Sequence, residues 1–563
     1  MNKKKLSLTI ILMLIVSSFA IGQRVVQLIP YDGTASSYII AQIRADTTAN
    51  PGTLTPNTVY ELTNGGIYLS TEILTLNGNS KTLRLRAPNG TKPIIYLYPT
   101  GTGANPQRPP GNFVVLNGAN IEFTNIAIAG IFEPTPAEIN NVQGGLINTT
   151  GVGCRIIINN CLLTNINGQH IRTGSGSKIV KVTNSIFANM GSLSTSNFGA
   201  GKGMDLREVS CDSLVLVNNT FVNYQDRVVR HLNLASGNTV TGILGYCRID
   251  HNTFVNGMGF HGLLSLGNVG KKVQITNNLF VDAYALGADS LDVTRSVEYN
   301  NTGEKYPNGN NRMPWVFTAP NDTTVWDVKK NYFSISNDGQ NWFNTHLRHF
   351  QDDILTDHIK NRLGADAATA FTKLNSFTLV KTPKLMTKLM DYYVSPTGGN
   401  YKKDKPGYSY LVNDMDRRTY KYYTDTLNCT YSVQSPAFTG AVGNYPAGDL
   451  NWFPTQKTDW EAGIGLGIER NNDIIPTEYT LDQNYPNPFN PATKIVYSIP
   501  KESNVRLEVF DILGKRVALL VNETQQVGQY KVDFDASKLS SGMYIYRLSS
   551  QGLVFSKKMM LIK

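Results

Sequence analysis

The 563-residue sequence is poor in cysteine, in long apolar stretches and in runs of the charged residues that favour helices. Its five cysteines are too few for the disulfide framework of a secreted scaffold, and no Cys-x-x-Cys or Cys/His spacing suggests a zinc site. Beyond the first residues, no stretch is apolar for long enough to span a bilayer, which predicts a mature chain without a transmembrane segment. We predict that the cysteines are structural and pack in small apolar sites: Cys154, Cys161, Cys211, Cys247 and Cys429.

The first residues are the exception. "MNKKK" is basic, "LSLTIILMLIVSSF" is apolar, and "AIGQ" supplies small residues for cleavage between Gly22 and Gln23. This pattern predicts that residues 1–22 are a signal peptide and that the protein is exported. An uncleaved membrane anchor is the alternative interpretation of the same run.

Glycine is abundant, with 49 residues, and the chain contains an internal repeat. "RIDHNTFVNG" (248–257) and "VQITNNLFVDA" (273–283) both place alternating apolar residues before Asn-x-Phe. Alignment on the last residue of this motif gives seven copies, with 35, 24, 34, 33, 26 and 53 residues between successive centres. The centres are Ile128, Leu163, Phe187, Phe221, Phe254, Phe280 and Phe333.

Three further columns accompany the centres. Seven positions earlier stand Ile121, Ile156, Val180, Leu214, Cys247, Val273 and Trp326, and five positions earlier stand Phe123, Ile158, Val182, Leu216, Ile249, Ile275 and Val328. Two or three positions earlier every copy has an asparagine: Asn125, Asn160, Asn184, Asn218, Asn252, Asn277 and Asn331. Alternating apolar residues indicate a strand with one buried face, and asparagine tolerates the left-handed conformation of a sharp bend.

This recurring unit of strand, bend and strand predicts an all-β fold, a right-handed single-stranded parallel β-helix. An antiparallel β-sandwich with accidental similarity is the alternative. Over residues 60–340 the pattern resembles the pectin-lyase-like superfamily of β-helices. That superfamily includes lyases, hydrolases, esterases and non-enzymatic adhesins, so the resemblance implies the fold rather than one activity.

We expect the β-helix domain to occupy residues 23–460, with a partly helical insert near 340–400. Ile354, Leu355, Ile359 and Leu363 have helical spacing and predict a helix there. "YPAGDLNWFP" (445–454) resembles the last strand of bacterial β-helix proteins and is interpreted as the end of the stack. A linker is expected at residues 461–475.

The remaining residues, 476–563, are predicted to form a small C-terminal β-sandwich, because short alternating strands are separated by turn residues. "NYPNPFNPAT", "VRLEVFDILGKRV" and "GQYKVDFDASKLSSGMYIYRL" resemble the C-terminal sorting domain of the type IX secretion system. The resemblance implies the type IX secretion machinery as a partner and an extracellular or outer-membrane-surface location. An accessory carbohydrate-binding sandwich is the alternative.

Polar residues follow the repeat motifs in "GQHIRTG", "GKGMDLREVS", "YQDRVVRHLN" and "MGFHGLLSLG". If Ile171, Leu206 and Val229 face the core, the arginines that follow them stack on neighbouring coils, about 4.8 Å apart. Such a row of cations repels itself unless an anion covers it, which predicts an acidic polysaccharide as ligand. The row consists of Arg172, Arg207 and Arg230.

One hypothesis is a polysaccharide lyase of the pectate lyase type that acts by β-elimination. Arg207 or Lys202 would be the base, Arg230 would neutralise the uronate carboxylate, and His231 or His261 would protonate the leaving oxygen. "VVRHL" resembles the Arg-His strand of the chondroitinase B and alginate lyase family, although the lysine-bearing strand of that family has no counterpart beyond "MDLREVS". The remaining predicted substrate-binding residues are His170, Arg172, Asp205, Arg227 and His261.

Other interpretations stay open. A hydrolase needs carboxylates at one spot, whereas Asp205, Glu208, Asp212 and Asp226 are scattered. The charged residues can instead form salt-bridge ladders, and the protein can be a non-catalytic adhesive or structural β-helix. No Asp-rich calcium loop occurs and we assign no metal ligands, so the cofactor is unknown, with calcium left open by the resemblance alone. The net charge of +10 is compatible with an acidic partner, and we predict no nucleic-acid partner.

Overall fold

The structure is a computed structural model. It describes residues 23–49, 54, 57–98, 111–130, 144–191, 201–231, 242–319, 323–346, 348, 353–383, 385–394, 427–462, 469–471, 476 and 478–563. The predicted signal peptide, residues 1–22, lies outside the described residues.

Three long parallel sheets dominate the structure. Sheet 1 contains Arg24–Leu28, Thr58–Leu62, Thr82–Arg86, Asn120–Thr124, Cys154–Asn159, Ser177–Thr183, Cys211–Val217, Leu244–Asp250, Val269–Thr276 and Val325–Lys329. Sheet 2 contains Ile67–Ser70, Ile94–Leu97, Ala127–Gly130, Leu162–Ile166, Ile186–Met190, Thr220–Tyr224, Thr253–Gly257, Leu279–Val281, Asn331–Ser334 and Phe371–Lys373. Sheet 3 contains Leu74–Asn77, Val114–Asn117, Gly145–Gly151, Gln169–Thr173, Lys202–Asp205, Val229–Arg230, Leu264–Gly267 and Val316–Thr318.

The chain visits these sheets in turn, and each strand pairs in parallel with the equivalent strand one coil later. This topology is a parallel β-helix, and it confirms the predicted fold class against an antiparallel sandwich. The stack extends beyond the range of the resemblance at both ends, because its first strand begins at Arg24 and its last ends at Lys373.

The seven repeat centres lie in one inward row on sheet 2, as predicted. The register pairs each centre with the next, from Ile128 with Leu163 through to Phe280 with Phe333. All seven are buried, and the phenylalanine rings stack, with centroids 5.2 Å apart for Phe221 and Phe254 and 4.7 Å apart for Phe254 and Phe280. Burial of such large apolar side chains is the main stabilising contribution of each coil.

The asparagines of the repeat belong to two columns rather than one. Five of them have positive φ at the bend between sheets 1 and 2, whereas His251 and Lys330 take that conformation in the other two copies. Asn252 and Asn331 stand one position later, in a buried ladder that also contains Asn219 and Asn278. The first three side chains of this ladder each donate from Nδ2 to the Oδ1 of the next asparagine at 2.9–3.0 Å. The motif therefore combines a backbone requirement with a hydrogen-bonding one.

A second asparagine ladder marks the opposite end of the sheet 2 strands. Asn165, Asn189, Asn223 and Asn256 have positive φ, and from the second onward each Nδ2 donates to the Oδ1 of the asparagine one coil earlier at 2.9–3.0 Å. This ladder turns the chain towards sheet 3. It therefore sets the position of the polar segments that follow the repeat motif.

Helices cover the ends and sides of the stack. Ile39, Ile40 and Ile43 of the first helix are buried in the main core at the N-terminal end. The α-helices are Ile39–Ala49, Val293–Ser296, Asn337–Thr345, Asp357–Leu363, Thr387–Val394 and Pro454–Ala462. The 3-10 helices are Ala35–Ser37, Val297–Thr302, Gly364–Thr369 and Leu450–Trp452.

The interpretation of residues 445–454 as a last strand is wrong. The segment contains the 3-10 helix Leu450–Trp452 instead, because the Asp449 side chain accepts from the Asn451 amide, and Pro454 then begins an α-helix. Together with residues 374–379 and 427–431, this segment packs on the outer face of sheet 2 against Val222 and Val255. The predicted helix at 354–363 is shorter than its apolar pattern and begins at Asp357, where the Thr356 side chain accepts from the Ile359 amide.

The C-terminal residues form two antiparallel sheets. One contains Glu469–Asn471, Gly528–Asp535, Ala492–Ile499 and Thr480–Leu481, and the other contains Arg516–Gln525, Ser503–Asp511, Gly542–Ser550 and Leu553–Leu561. Side chains from both sheets, such as Tyr497 and Leu507, share one buried cluster, so the tail is a β-sandwich. All five cysteines are buried without disulfide bonds. None of the helices in the described part of the chain combines the length and apolarity needed to cross a bilayer.

Candidate functional site

The predicted row of arginines is wrong by two residues in the strand that contributes Arg207. Sheet 3 aligns Arg172 with Asp205 and Asp205 with Arg230, so the charges along the row alternate in sign. Ile171 aligns with Met204 rather than with Leu206. The strand ends at Asp205, and Arg207 lies exposed in the following turn with a φ of 50°.

Arg230 is held by two carboxylates. Its two terminal nitrogens lie 2.7 Å from Asp205 Oδ1 and 2.7 Å from Glu208 Oε1, and its side chain is almost fully buried. Arg172 is half-buried beside this group, and burial together with the charges of Arg207 and Arg230 lowers its pKa. Arg172 and Arg207 thus remain near the surface, next to Arg230, which is buried and paired.

Asp226 is the centre of a second group that joins three adjacent coils. Its Oδ2 lies 2.8 Å from Lys202 Nζ of the preceding coil, and its Oδ1 lies 2.8 Å from His261 Nδ1 of the following coil. Arg227 Nε is 3.7 Å away. All four residues are at most 5% exposed. The carboxylate therefore binds a lysine from one side and a histidine from the other.

The electrostatics of this group follow from its burial. Burial alone would raise the pKa of Asp226, but the charges of His261, Lys202 and Arg227 bring that pKa well below its usual range. Burial lowers the pKa of Lys202, and the attraction of Asp226 offsets this only in part. A buried lysine with a lowered pKa next to a carboxylate and a histidine has the features of a functional site, although structural ion pairs can share them.

The turns between sheets 2 and 3 bring these residues together. The Asp226 turn precedes the strand Val229–Arg230, and the His261 turn precedes Leu264–Gly267, its partner in sheet 3. The His261 amide donates to Asp226 Oδ1 at 3.2 Å, and the Phe260 amide donates to the Gln225 carbonyl at 3.5 Å. Successive turns are thus stacked as closely as the strands they lead into.

Two of the predicted histidines lie elsewhere. His231 has Nδ1 2.6 Å from the Leu266 carbonyl oxygen and Nε2 2.9 Å from that of Val209, so both ring nitrogens face the backbone. Burial lowers the pKa of His231, and a neutral ring donates to only one of these carbonyls. His170 is fully buried in the core, with its ring 5.2 Å from that of Phe187. Neither side chain is presented to a polymer.

In the sequence, Asp226 and Glu208 stand only among scattered acids. In the structure both carboxylates pair with cations of this region. We call the whole assembly the sheet-3 charge cluster. Among the described residues, no three His, Cys, Asp or Glu side chains converge as a metal site requires. The members of the sheet-3 charge cluster are Arg172, Lys202, Asp205, Arg207, Glu208, Asp226, Arg227, Arg230 and His261.

Comparison with known families gives a match for the C-terminal residues. Residues 483–563 match the family model described as secretion system C-terminal sorting domain. The chain carries a type IX sorting domain. The sorting domain directs the protein to the cell surface or the extracellular space, as the resemblance implied. No curated protein and no solved structure gives a significant match to the chain.

Proposed function

We propose that this exported β-helix protein binds an acidic polysaccharide at the sheet-3 charge cluster. The observation that supports this most is the local excess of positive charge. Five cations (Arg172, Lys202, Arg207, Arg227, Arg230) meet three carboxylates (Asp205, Glu208, Asp226), which leaves a net charge of +2 without His261.

The accessible cations carry the binding in this proposal. Arg207 is exposed and Arg172 is half-buried, whereas Arg230 and Lys202 have carboxylate partners within 2.8 Å. Arg230 and Lys202, the paired cations, add to the local positive potential. Arg172 and Arg207 contact uronate or sulfate groups of the polymer. Guanidinium groups suit this role because they pair with planar carboxylates through two hydrogen bonds.

Cleavage by β-elimination is a second candidate function, favoured by the lowered pKa of Lys202. In this reaction Lys202, released from Asp226 and in its neutral form, takes at Nζ the proton from the carbon next to the uronate carboxylate. The electron pair forms a carbon–carbon double bond as the bond to the glycosidic oxygen breaks, and that oxygen takes a proton from His261. Arg230 or Arg227 stabilises the enolate that develops on the carboxylate. Arg207 is less suited as base because it is exposed.

The test measures binding and cleavage separately on the full-length protein. Purified protein is incubated with pectate, alginate and glycosaminoglycans, while ultraviolet absorbance reports the unsaturated product. Arg207→Ala should weaken polymer binding by about tenfold, equivalent to ~1.4 kcal/mol. Lys202→Gln should abolish any product while binding remains. Lys178→Ala is the matched control, because Lys178 is an exposed cation on the same coil but on sheet 1.

Three results distinguish the hypotheses. Product that disappears in Lys202→Gln supports the lyase. Binding without product for any polymer selects the adhesive β-helix and removes the elimination step. If Arg207→Ala and Lys178→Ala bind as wild type does, or if no acidic polymer binds, the sheet-3 charge cluster is only a salt-bridged surface.

A further inference from the structure

The outer face of sheet 1 contains a cavity of about 590 Å³, which we call the sheet-1 cavity. Its floor is formed by five neighbouring strands, and its walls are the helix Pro454–Ala462 and the sorting domain, through residues such as Trp460 and Tyr530. The volume lies within the roughly 300–1,000 Å³ typical of ligand sites. This face is formed by a different sheet from the one that carries the sheet-3 charge cluster.

Four of the charged residues that line this cavity form two ion pairs with one another. Arg248 lies 2.8 Å from Asp250 Oδ2, and Lys329 lies 2.9 Å from Asp327 Oδ1. A charged ligand would have to compete with these pairs and would leave one partner uncompensated. The lining is therefore better suited to a neutral ligand.

Three acceptor atoms in the lining residues lack hydrogen-bond partners among the described residues: Asn184 Oδ1, Gln274 Oε1 and His251 Nε2. The other polar atom of each side chain is already used. Asn184 Nδ2 donates to Asn159 Oδ1 at 2.9 Å, Gln274 Nε2 donates to Thr276 Oγ1 at 3.2 Å, and His251 Nδ1 lies 3.1 Å from Asp250 Oδ1. The tautomer that carries its proton on Nδ1 donates to Asp250 Oδ1 and presents Nε2 as an acceptor.

Buried acceptors without donors cost free energy, and a ligand that supplies several donors relieves that cost. Hydroxyl groups are neutral donors, and a sugar carries several of them in fixed positions. Trp460 is only partly buried, and its ring contacts that of His251 in a tilted arrangement, with the centroids 5.4 Å apart. A flat aromatic side chain also packs well against the apolar face of a sugar ring.

We propose that the sheet-1 cavity binds a neutral saccharide, independently of the acidic polymer at sheet 3. Hydroxyl groups donate to Asn184 Oδ1, Gln274 Oε1 and His251 Nε2, and the indole of Trp460 moves off His251 to stack on a sugar ring. The protein thus has a second carbohydrate site, which takes a neutral ligand where the site at sheet 3 takes an acidic one.

The test is titration of the full-length protein with neutral oligosaccharides, using cellotetraose, mannotetraose and xylotetraose as probes. Calorimetry measures affinity, and tryptophan fluorescence reports movement of Trp460. At least one probe should bind saturably, and Trp460→Ala and Gln274→Ala should each weaken binding by about tenfold or more, equivalent to ~1.4 kcal/mol. Trp460→Phe should retain part of the affinity because it keeps an aromatic face.

Leu513→Ala is the control, because Leu513 is 88% exposed on a turn of the sorting domain that does not line the cavity. Its affinity should equal that of the wild type, and all variants should keep the wild-type circular dichroism spectrum. The proposal is overturned if none of the three probes binds. It is also overturned if binding persists in Trp460→Ala or is lost in Arg207→Ala, which would place it at sheet 3.

Discussion

The segment 445–454 covers the outer face of sheet 2, and we call it the sheet-2 cover. Asp449 provides a test of what keeps this cover in place. Its carboxylate is buried, and Oδ2 accepts from Thr220 Oγ1 at 2.7 Å while Oδ1 accepts from the Asn451 amide at 2.9 Å. Trp452 Nε1 donates in turn to Thr220 Oγ1 at 2.8 Å. Lys457 donates to Asn451 Oδ1 at 2.8 Å, and its charge offsets the effect of burial on the pKa of Asp449 only weakly.

Burial raises the pKa of Asp449 from 3.8 to about 7. A carboxyl whose pKa is raised on folding contributes stability that is fully present below its unfolded pKa and is lost as pH rises towards the folded one. A difference of about three pKa units corresponds to at most ~4 kcal/mol, at 1.36 kcal/mol per unit. We therefore expect the cover to become easier to open between pH 4 and pH 7, and to change little above that.

The assay compares wild type with Asp449→Asn, which keeps the side-chain shape but does not titrate. Hydrogen exchange of peptides covering residues 447–453 is measured in both proteins at each pH, so that intrinsic exchange rates cancel in the comparison. The neighbouring Cys429 thiol is buried and its pKa is raised well above 9, so it stays protonated throughout this range. The expected result is that Asp449→Asn gains protection relative to wild type as pH rises. A difference that does not change with pH, or that changes in the opposite direction, would refute the reasoning.

Three further predictions concern the stack, the charge cluster and the tail. Phe254→Ala should lower the free energy of unfolding by about 3–5 kcal/mol in thermal or urea unfolding, because it empties the middle of the phenylalanine row, whereas exposed Val152→Ala should change it by less than about 0.5 kcal/mol. Asp226→Asn should cost about 3–5 kcal/mol by the same measurement, and adding Lys202→Met should restore part of the loss, because the lysine that lost its ion pair is gone. Deletion of residues 476–563 should leave the protein in the periplasm, as cell fractionation would reveal, and truncated protein at the surface would contradict the sorting role.

The inward rows of apolar residues on sheets 1 and 2 could be predicted from the sequence. Apolar and polar residues alternate regularly along these strands, and the central residues are large and apolar. The bend between these sheets is short, so one register serves every copy from Ile128 to Phe333. Sheet 3 lacks these advantages. "GKGMDLREVS" offers two inward candidates, Met204 and Leu206, and both are buried, so hydrophobicity alone does not select the register. The next strand, Val229–Arg230, has only two residues.

Electrostatics can resolve what hydrophobicity leaves open. Two arginines one strand spacing apart would repel each other by about 3 kcal/mol at an effective dielectric constant of 20, whereas an arginine beside an aspartate gains a similar amount. The register with Asp205 between Arg172 and Arg230 is therefore favoured over one with Arg207 in that place, and it is the register that the structure has. A cation displaced from this alternating row has no carboxylate beside it in the row, and the proposed polymer binding depends on such a cation. Arg207, exposed in the turn after Asp205, is in that position.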